Sequence, residues 1–237
     1  MKFGIAVFPG TWSDRDCARA VEVLGQESVF LWHRDRDLRG ADCVILPGGF
    51  SYGDHLRTGA VARFAPLMES VQEFAVSGGL VWGVCNGFQI LCEAHLLPGA
   101  LTRNASLEFR CETSWLRVES AQTPFTRGCA AGDILAVPVS HGEGRYVADR
   151  ETLDRLEAEG RVALRYVAAD GSPVGSASPN GSMHDIAGIV NETGNVLGMM
   201  PHPERACEPL LGSEDGLRLF RSVVQAVEAS TAFSAVG

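Results

Sequence analysis

The chain has 237 residues and a formal net charge of −9, a length that suits a single α/β domain able to bury a substantial core. Its 46% hydrophobic and 21% charged content is that of a soluble globular protein. The acidity argues against nucleic acid or an anionic membrane as partner, and no apolar run approaches the ~20 residues of a membrane helix.

The opening "KFGIAVF" is apolar and ends at Pro9-Gly10. It reads as a buried strand and is too short for the apolar segment of a signal peptide. A helix is expected from Asp14 to Leu24, with Cys17, Val21 and Leu24 on one face and a stop at Gly25. "ADCVIL" reads as a second strand, ended by Pro47-Gly48-Gly49. Thr58 to Val76 reads as one helix with Val61, Phe64, Ala65, Met68, Val71 and Ala75 on its buried face. "GGLVWGVC" is another buried strand, and an amphipathic helix follows Asn86-Gly87. Such near-continuous apolar strands alternating with helices predict a βαβ series and a doubly wound, mostly parallel sheet.

Beyond residue 110 the pattern changes. "CETSWLRVES", "GDILAVPVSHGEG" and "RVALRYVA" read as strands with few helices between them, which predicts a mixed or antiparallel extension of the sheet. Residues 169–182, rich in Gly, Ser, Pro and Asn, read as an exposed loop, with the strand-like "IAGIVNETGNVLGMM" directly after it. Ser213 is placed to cap a last helix over Leu217, Phe220, Val223, Val224 and Val227, with a frayed tail from about residue 229. With no internal repeat, residues 1–237 form one domain in the simplest reading.

Seven cysteines, an odd number with no CxxC spacing, argue against a disulfide framework and a zinc ribbon and suit a reducing cytoplasm. One of them stands apart. Cys85 lies in Gly83-Val84-Cys85-Asn86-Gly87, where a buried strand gives way to a helix. An elbow of this kind forces the nucleophile into a strained backbone and aims helix N-terminal N–H groups at it, which favours a thiolate. A buried structural cysteine is the competing reading, and the motif alone does not choose among unrelated cysteine enzymes. A thiolate nucleophile needs a base and an orienting acid. His202 and Glu204 stand two apart in Pro201-His202-Pro203-Glu204, so an extended backbone sends both to one face. Backbone N–H groups of Gly48 and Gly49, with that of Asn86, are placed to complete an oxyanion hole. His141-Gly142-Glu143-Gly144 reads first as a tight turn at a strand end, His55 as a solvent or interface residue, and Arg57 and Arg63 as solvated charges.

In order, "PGGFSYGD", "GVCNGFQIL", "HGEG" and "GMMPHPERA" resemble the class I, triad-type glutamine amidotransferases over nearly the whole chain. Within that group they are most similar to the small glutaminase subunits of phosphoribosylformylglycinamidine synthases. The resemblance implies a flavodoxin-like core, a triad of Cys85, His202 and Glu204, an oxyanion hole near Gly49 and Asn86, and Gln89 beside a bound glutamine. It also implies a glutaminase in purine biosynthesis whose partners are an ATP-dependent synthetase subunit, using ATP and Mg, and a small bridging subunit. This chain has no phosphate loop, so no cofactor is expected in it, and no metal cluster is visible. Two departures stand out. The family's first loop often reads PGSNCD, where Thr11-Trp12-Ser13 stand here, so no role is assigned to it; and Thr58 replaces a frequent cysteine. Another amidotransferase's glutaminase, or a catalytically silent subunit, remains the alternative.

Overall fold

The computed structural model describes residues 1–175 and 178–234. In chain order its strands are β1 (Lys2–Val7), β2 (Glu27–Trp32), β3 (Cys43–Leu46), β4 (Leu80–Val84), β5 (Ala100–Thr102), β6 (Arg110–Val118), β7 (Ile134–His141), β8 (Arg145–Val147), β9 (Val162–Val167), β10 (Ile186–Val190) and β11 (Val196–Met199). The helices are α1 (Asp14–Val23), α2 (Pro66–Val76), α3 (Asn86–Glu93), α4 (Arg150–Ala158) and α5 (Asp215–Ser234).

Among the described residues one sheet runs in the order β2-β1-β3-β4-β11-β10-β9-β6-β7, and β5 pairs separately with β8. The first five strands are parallel. Their order is that of a flavodoxin-like doubly wound sheet. The last four continue it antiparallel. The expected extension is therefore four strands long.

Side-chain alternation sorts the layers. In β4, Trp82 packs at a tilt against Phe220 of α5 with ring centroids 4.7 Å apart. Its neighbour Gly83 faces the other way, where a Cβ would stand 2.5 Å from Leu91 of α3. Helices α1 and α5 pack together on the first face. On the other, Gln72 of α2 donates to the carbonyl of Ala94 at the end of α3, 3.4 Å away. Phe220 also meets Phe3 of β1 at 6.4 Å, so α5 is pinned across the centre of the parallel half.

Several expectations need correction. The helix expected over residues 58–76 is broken: a single 3₁₀ turn at Ala62–Phe64 precedes α2, which starts at Pro66. The cause is Pro66, whose ring drives the preceding residue out of the helical region; Ala65 is extended, with φ −67° and ψ 142°. Phe64 is consequently 74% exposed instead of facing the core. Residues 169–182 are not exposed throughout, since Asn180 and Ser182 are buried; Ser176 and Ala177 within that stretch lie outside the described residues. The tail expected to fray from about residue 229 is helical to Ser234, and residues 235–237 lie outside the described residues. Ser213 does serve the start of α5, its Oγ accepting from the N–H of Asp215 at 3.1 Å.

No helix among the described residues is long and apolar enough to cross a membrane. All seven cysteines are free. Because Phe220 holds α5 to two strands, Phe220→Ala is expected to cost about 3–5 kcal/mol and to lower the melting temperature by roughly 10 °C, read by differential scanning calorimetry.

Candidate active site

The site lies where an open α/β sheet places its ligands, beyond the carboxyl ends of the parallel strands. β1, β3, β4 and β11 each deliver one segment to it: the 9–13 loop, Pro47-Gly48-Gly49, Cys85, and His202 with Glu204. Cys85 separates β4 from α3 and has φ 51° and ψ −106°. A left-handed backbone is strained for a residue with a Cβ. Close packing imposes it. A Cβ on Gly87 would run into the carbonyl oxygen of Leu46, the last residue of β3, and one on Gly83 would stand 2.7 Å from the carbonyl of Gly87. The two glycines of G-x-C-x-G thus let α3 start hard against the sheet, and the chain turns sharply at Cys85 to achieve it. Asn86, first in α3, has a backbone N–H with no acceptor in a preceding turn.

His202 follows β11 by three residues and is anchored by its own N–H, which donates to the carbonyl of Pro138 in β7 at 2.8 Å. His202 and Glu204 are buried, and His202 Nδ1 lies 2.6 Å from Glu204 Oε1. Burial alone would drive protons off His202, but the charges of Glu204 and Cys85 outweigh it and raise the imidazole pKa. Glu204 shifts the opposite way: burial opposes its charge, and His202 more than compensates, lowering its pKa. The pair therefore favours imidazolium beside carboxylate. His202 Nε2 is buried with no hydrogen-bond partner. A Cβ on Gly48 would stand 2.6 Å from His202 Cε1 and 3.4 Å from Cys85 Cβ, so glycine there leaves the space in which imidazole and thiol meet.

The glycine loop is held by the segment to which the sequence assigned no role. The N–H groups of Trp12 and Ser13 donate to the Gly48 carbonyl at 3.0 and 3.1 Å, and Phe50 N–H donates to the Gly10 carbonyl at 2.9 Å. Gly49 has φ 154°, and a Cβ on it would stand 2.7 Å from both Gly10 O and Trp12 N. The departures at Thr11-Trp12-Ser13 leave this framework intact because its bonds run through backbone.

Asn86 and Gln89 form a chain of amides. Ser51 N–H donates to Asn86 Oδ1 at 3.1 Å, Asn86 Nδ2 donates to Gln89 Oε1 at 2.9 Å, and Gln89 Nε2 donates to the Glu143 carbonyl at 2.6 Å. Two loops are thereby tied to α3 around Cys85. The 141–144 turn is tied a second time by Asn104, which the sequence did not flag. Its Oδ1 accepts from Gly144 N–H at 3.0 Å and lies 3.1 Å from His141 Nδ1, while its Nδ2 donates to the His141 carbonyl at 2.9 Å. Burial and then the charge of His202 push the His141 pKa down to about 4, so His141 is a neutral, buried part of this turn.

Cys85, Gln89 and Gly49 line one cleft of about 170 Å³ with Asp54, Thr58, Phe109 and the 140–143 segment. The remaining candidates lie outside it. His55 is exposed, Arg57 makes a bidentate pair with Glu93 at 2.6 Å, and Arg63 lies 4.7 Å over the ring of Phe64. Among the described residues no three His, Cys, Asp or Glu side chains are grouped to hold a metal ion.

A buried His–Glu pair facing a strained cysteine at a strand-to-helix elbow is equipped for acyl transfer through a thioester. Residues 1–224 match the CobB/CobQ-like glutamine amidotransferase domain. The chain belongs to this glutamine amidotransferase family. It is similar to the phosphoribosylformylglycinamidine synthase subunit PurQ of Rubrobacter xylanophilus, at 58% identity over 94% of this chain and 98% of that protein. The protein of the same name from Salinibacter ruber is 56% identical over 95% of this chain and 97% of its own length. Among solved structures, a chain of PurLQS from Thermotoga maritima superposes with a TM-score of 0.85 at 42% identity, covering 95% of this amidotransferase chain and 98% of that one.

Since Glu204 offsets the burial of His202, Glu204→Gln is expected to lower the His202 pKa, because desolvation then acts without its counter-charge. A pH titration of the imidazole nitrogens by NMR checks the direction.

Proposed function

We propose that this amidotransferase is the glutaminase subunit of a phosphoribosylformylglycinamidine synthase in purine biosynthesis. Two independent supports converge: the shared names of its full-length relatives, and the observation that carries the chemistry, a buried His202–Glu204 pair beside Cys85. Cys85, His202 and Glu204 act as nucleophile, base and orienting acid.

In this mechanism the Cys85 proton resides on His202 as imidazolium, and the thiolate attacks the side-chain carboxamide carbon of glutamine. The backbone N–H groups of Gly49 and Asn86 receive the developing oxyanion, an effect worth about 3 kcal/mol per donor. His202 gives its proton to the leaving nitrogen, the C–N bond breaks, and ammonia departs from a γ-glutamyl thioester. Water, deprotonated by His202, then attacks the thioester, and glutamate leaves as the Cys85 thiol is restored. Glu204 holds the imidazole in register and stabilises its charged form in each cycle. Gly48, without a side chain, keeps the approach to Cys85 open, and Gln89 shapes the cleft by holding the 141–144 turn.

The ammonia passes to an ATP-dependent synthetase subunit that converts formylglycinamide ribonucleotide to formylglycinamidine ribonucleotide, with ATP and Mg bound there and a small third subunit bridging the two. The solved PurLQS relative supports that assembly. Free cysteines throughout suit a cytoplasmic protein.

In the complex reconstituted with synthetase and small subunit, Cys85→Ala is expected to reduce glutamine-dependent synthesis by at least about a thousandfold. Ammonia-dependent synthesis is expected to persist. Retained use of glutamine by Cys85→Ala would refute the assignment.

A further inference from the structure

Ser13 stands at the N-cap position of α1, where a serine hydroxyl ordinarily accepts from a backbone N–H two or three residues on. It makes no such bond, whereas the Asp149 side chain at the start of α4 does. Ser13 is fully buried, and its Oγ has no hydrogen-bond partner. An enclosed hydroxyl left in this condition opposes folding, so its place in the structure calls for a reason other than the helix it begins.

The surroundings of that hydroxyl are those of the triad. Ser13 N–H donates to the Gly48 carbonyl at 3.1 Å, which fixes the residue against the glycine loop. The point where a Gly48 Cβ would stand is 2.9 Å from Ser13 Oγ, 2.6 Å from His202 Cε1 and 3.4 Å from Cys85 Cβ. Hydroxyl, imidazole edge and nucleophile therefore border one small space. The 203–205 turn is clasped to the start of α1 as well: Arg205 Nε donates to Asp16 Oδ2 at 3.2 Å, and the Arg205 guanidinium lies 4.9 Å over the Trp12 ring. Glu204 in that turn has a second unpartnered buried oxygen, Oε2. Its charge is felt by α1, since Cys17, whose N–H donates to the Ser13 carbonyl, has a thiol pKa raised by burial and then by Glu204.

We propose that Ser13 is a positioning residue of the triad, its hydroxyl dipole favouring the imidazolium form of His202 and holding that ring between Glu204 and Cys85. The inference rests on the glutaminase reading and concerns a group that touches neither substrate nor reacting atoms. The Cε1–H edge carries part of the positive charge of an imidazolium, and an oxygen facing it is attracted. The hydroxyl proton rotates freely and turns toward the Glu204 carboxylate, so both ends of the dipole favour the charged pair. In a dry, low-dielectric enclosure such a dipole acts more strongly than in water. A neutral imidazole gains little from it. Ser13 thus favours the state in which His202 holds the Cys85 proton, before attack on the amide and again as the thioester is hydrolysed.

The test compares the wild-type chain with Ser13→Ala and Ser13→Cys, each in the complex with synthetase and small subunit. For Ser13→Ala the kcat of glutamate release is expected to fall about tenfold, with the glutamine KM changed by less than about twofold. The His202 pKa, read by NMR titration of the full chain alone, is expected to fall. The melting temperature is expected to stay or rise, because the substitution removes an unpaired buried hydroxyl. A merely structural serine gives the reverse pattern, a lower melting temperature with the imidazole pKa unmoved. Ser13→Cys, close in size with a weaker dipole, is expected to fall between wild type and Ser13→Ala, and it carries the test if Ser13→Ala fails to fold. An unchanged kcat, or an unchanged His202 pKa, overturns the role of Ser13. A wild-type complex that releases no glutamate from glutamine refutes the glutaminase reading instead, and the pKa comparison on the chain alone still decides whether Ser13 acts on His202.

Discussion

The close approach of α3 to the ends of β3 and β4 is the constraint from which the rest of the site follows. It exists because Gly87 leaves the Leu46 carbonyl unobstructed and Gly83 leaves room for Gly87. With the helix pressed so near, the connecting residue has no relaxed conformation available, and Cys85 takes the strained one. The strain is offset by the packing that causes it, with Trp82, Phe88 and Leu91 fully buried around the elbow. The same approach sets Asn86 over the glycine loop, where its side chain meets Ser51 N–H. One pair of missing side chains thus positions the nucleophile and the amide chain that surrounds it.

The parallel half of the fold was legible because both faces of its strands are covered. Strands buried in this way consist of uninterrupted apolar residues, and their ends are marked by Pro9-Gly10, Pro47-Gly48-Gly49 and Asn86-Gly87. What escaped detection lacks that signature. β2 is an edge strand reading "ESVFLW", with Phe30 and Trp32 about half exposed, so it shows neither a buried run nor a clean alternation. α4 is short and strongly charged, buries only Leu153 and Leu156, and is started by the Asp149 side chain accepting from Thr152 N–H. In residues 58–76 the helical spacing of apolar residues outweighed a proline that should have been read as the helix start.

For the site, local chemistry carried far and contact chemistry did not. The elbow at Cys85 and the His202-Pro203-Glu204 spacing are short-range patterns, visible within a few residues. The ties around them join positions distant in the chain: Gln89 to Glu143, Asn104 to His141, Trp12 and Ser13 to Gly48. Nothing in "LTRNAS" or "PGTWS" distinguishes these residues from ordinary turn formers, because their roles depend on which loops the sheet order brings together.

β11, last of the strands in sequence, is inserted at the middle of the sheet between β4 and β10. A ribosome therefore releases the first four parallel strands long before their neighbour exists, and β4 waits with an open edge for residues 196–199. Contacts of such long sequence separation form late. His202, three residues past that strand, reaches Cys85 only as the sheet closes. The fold in this way makes reactivity a late event of its own assembly, and a chain that stops before residue 202 holds a cysteine without its base.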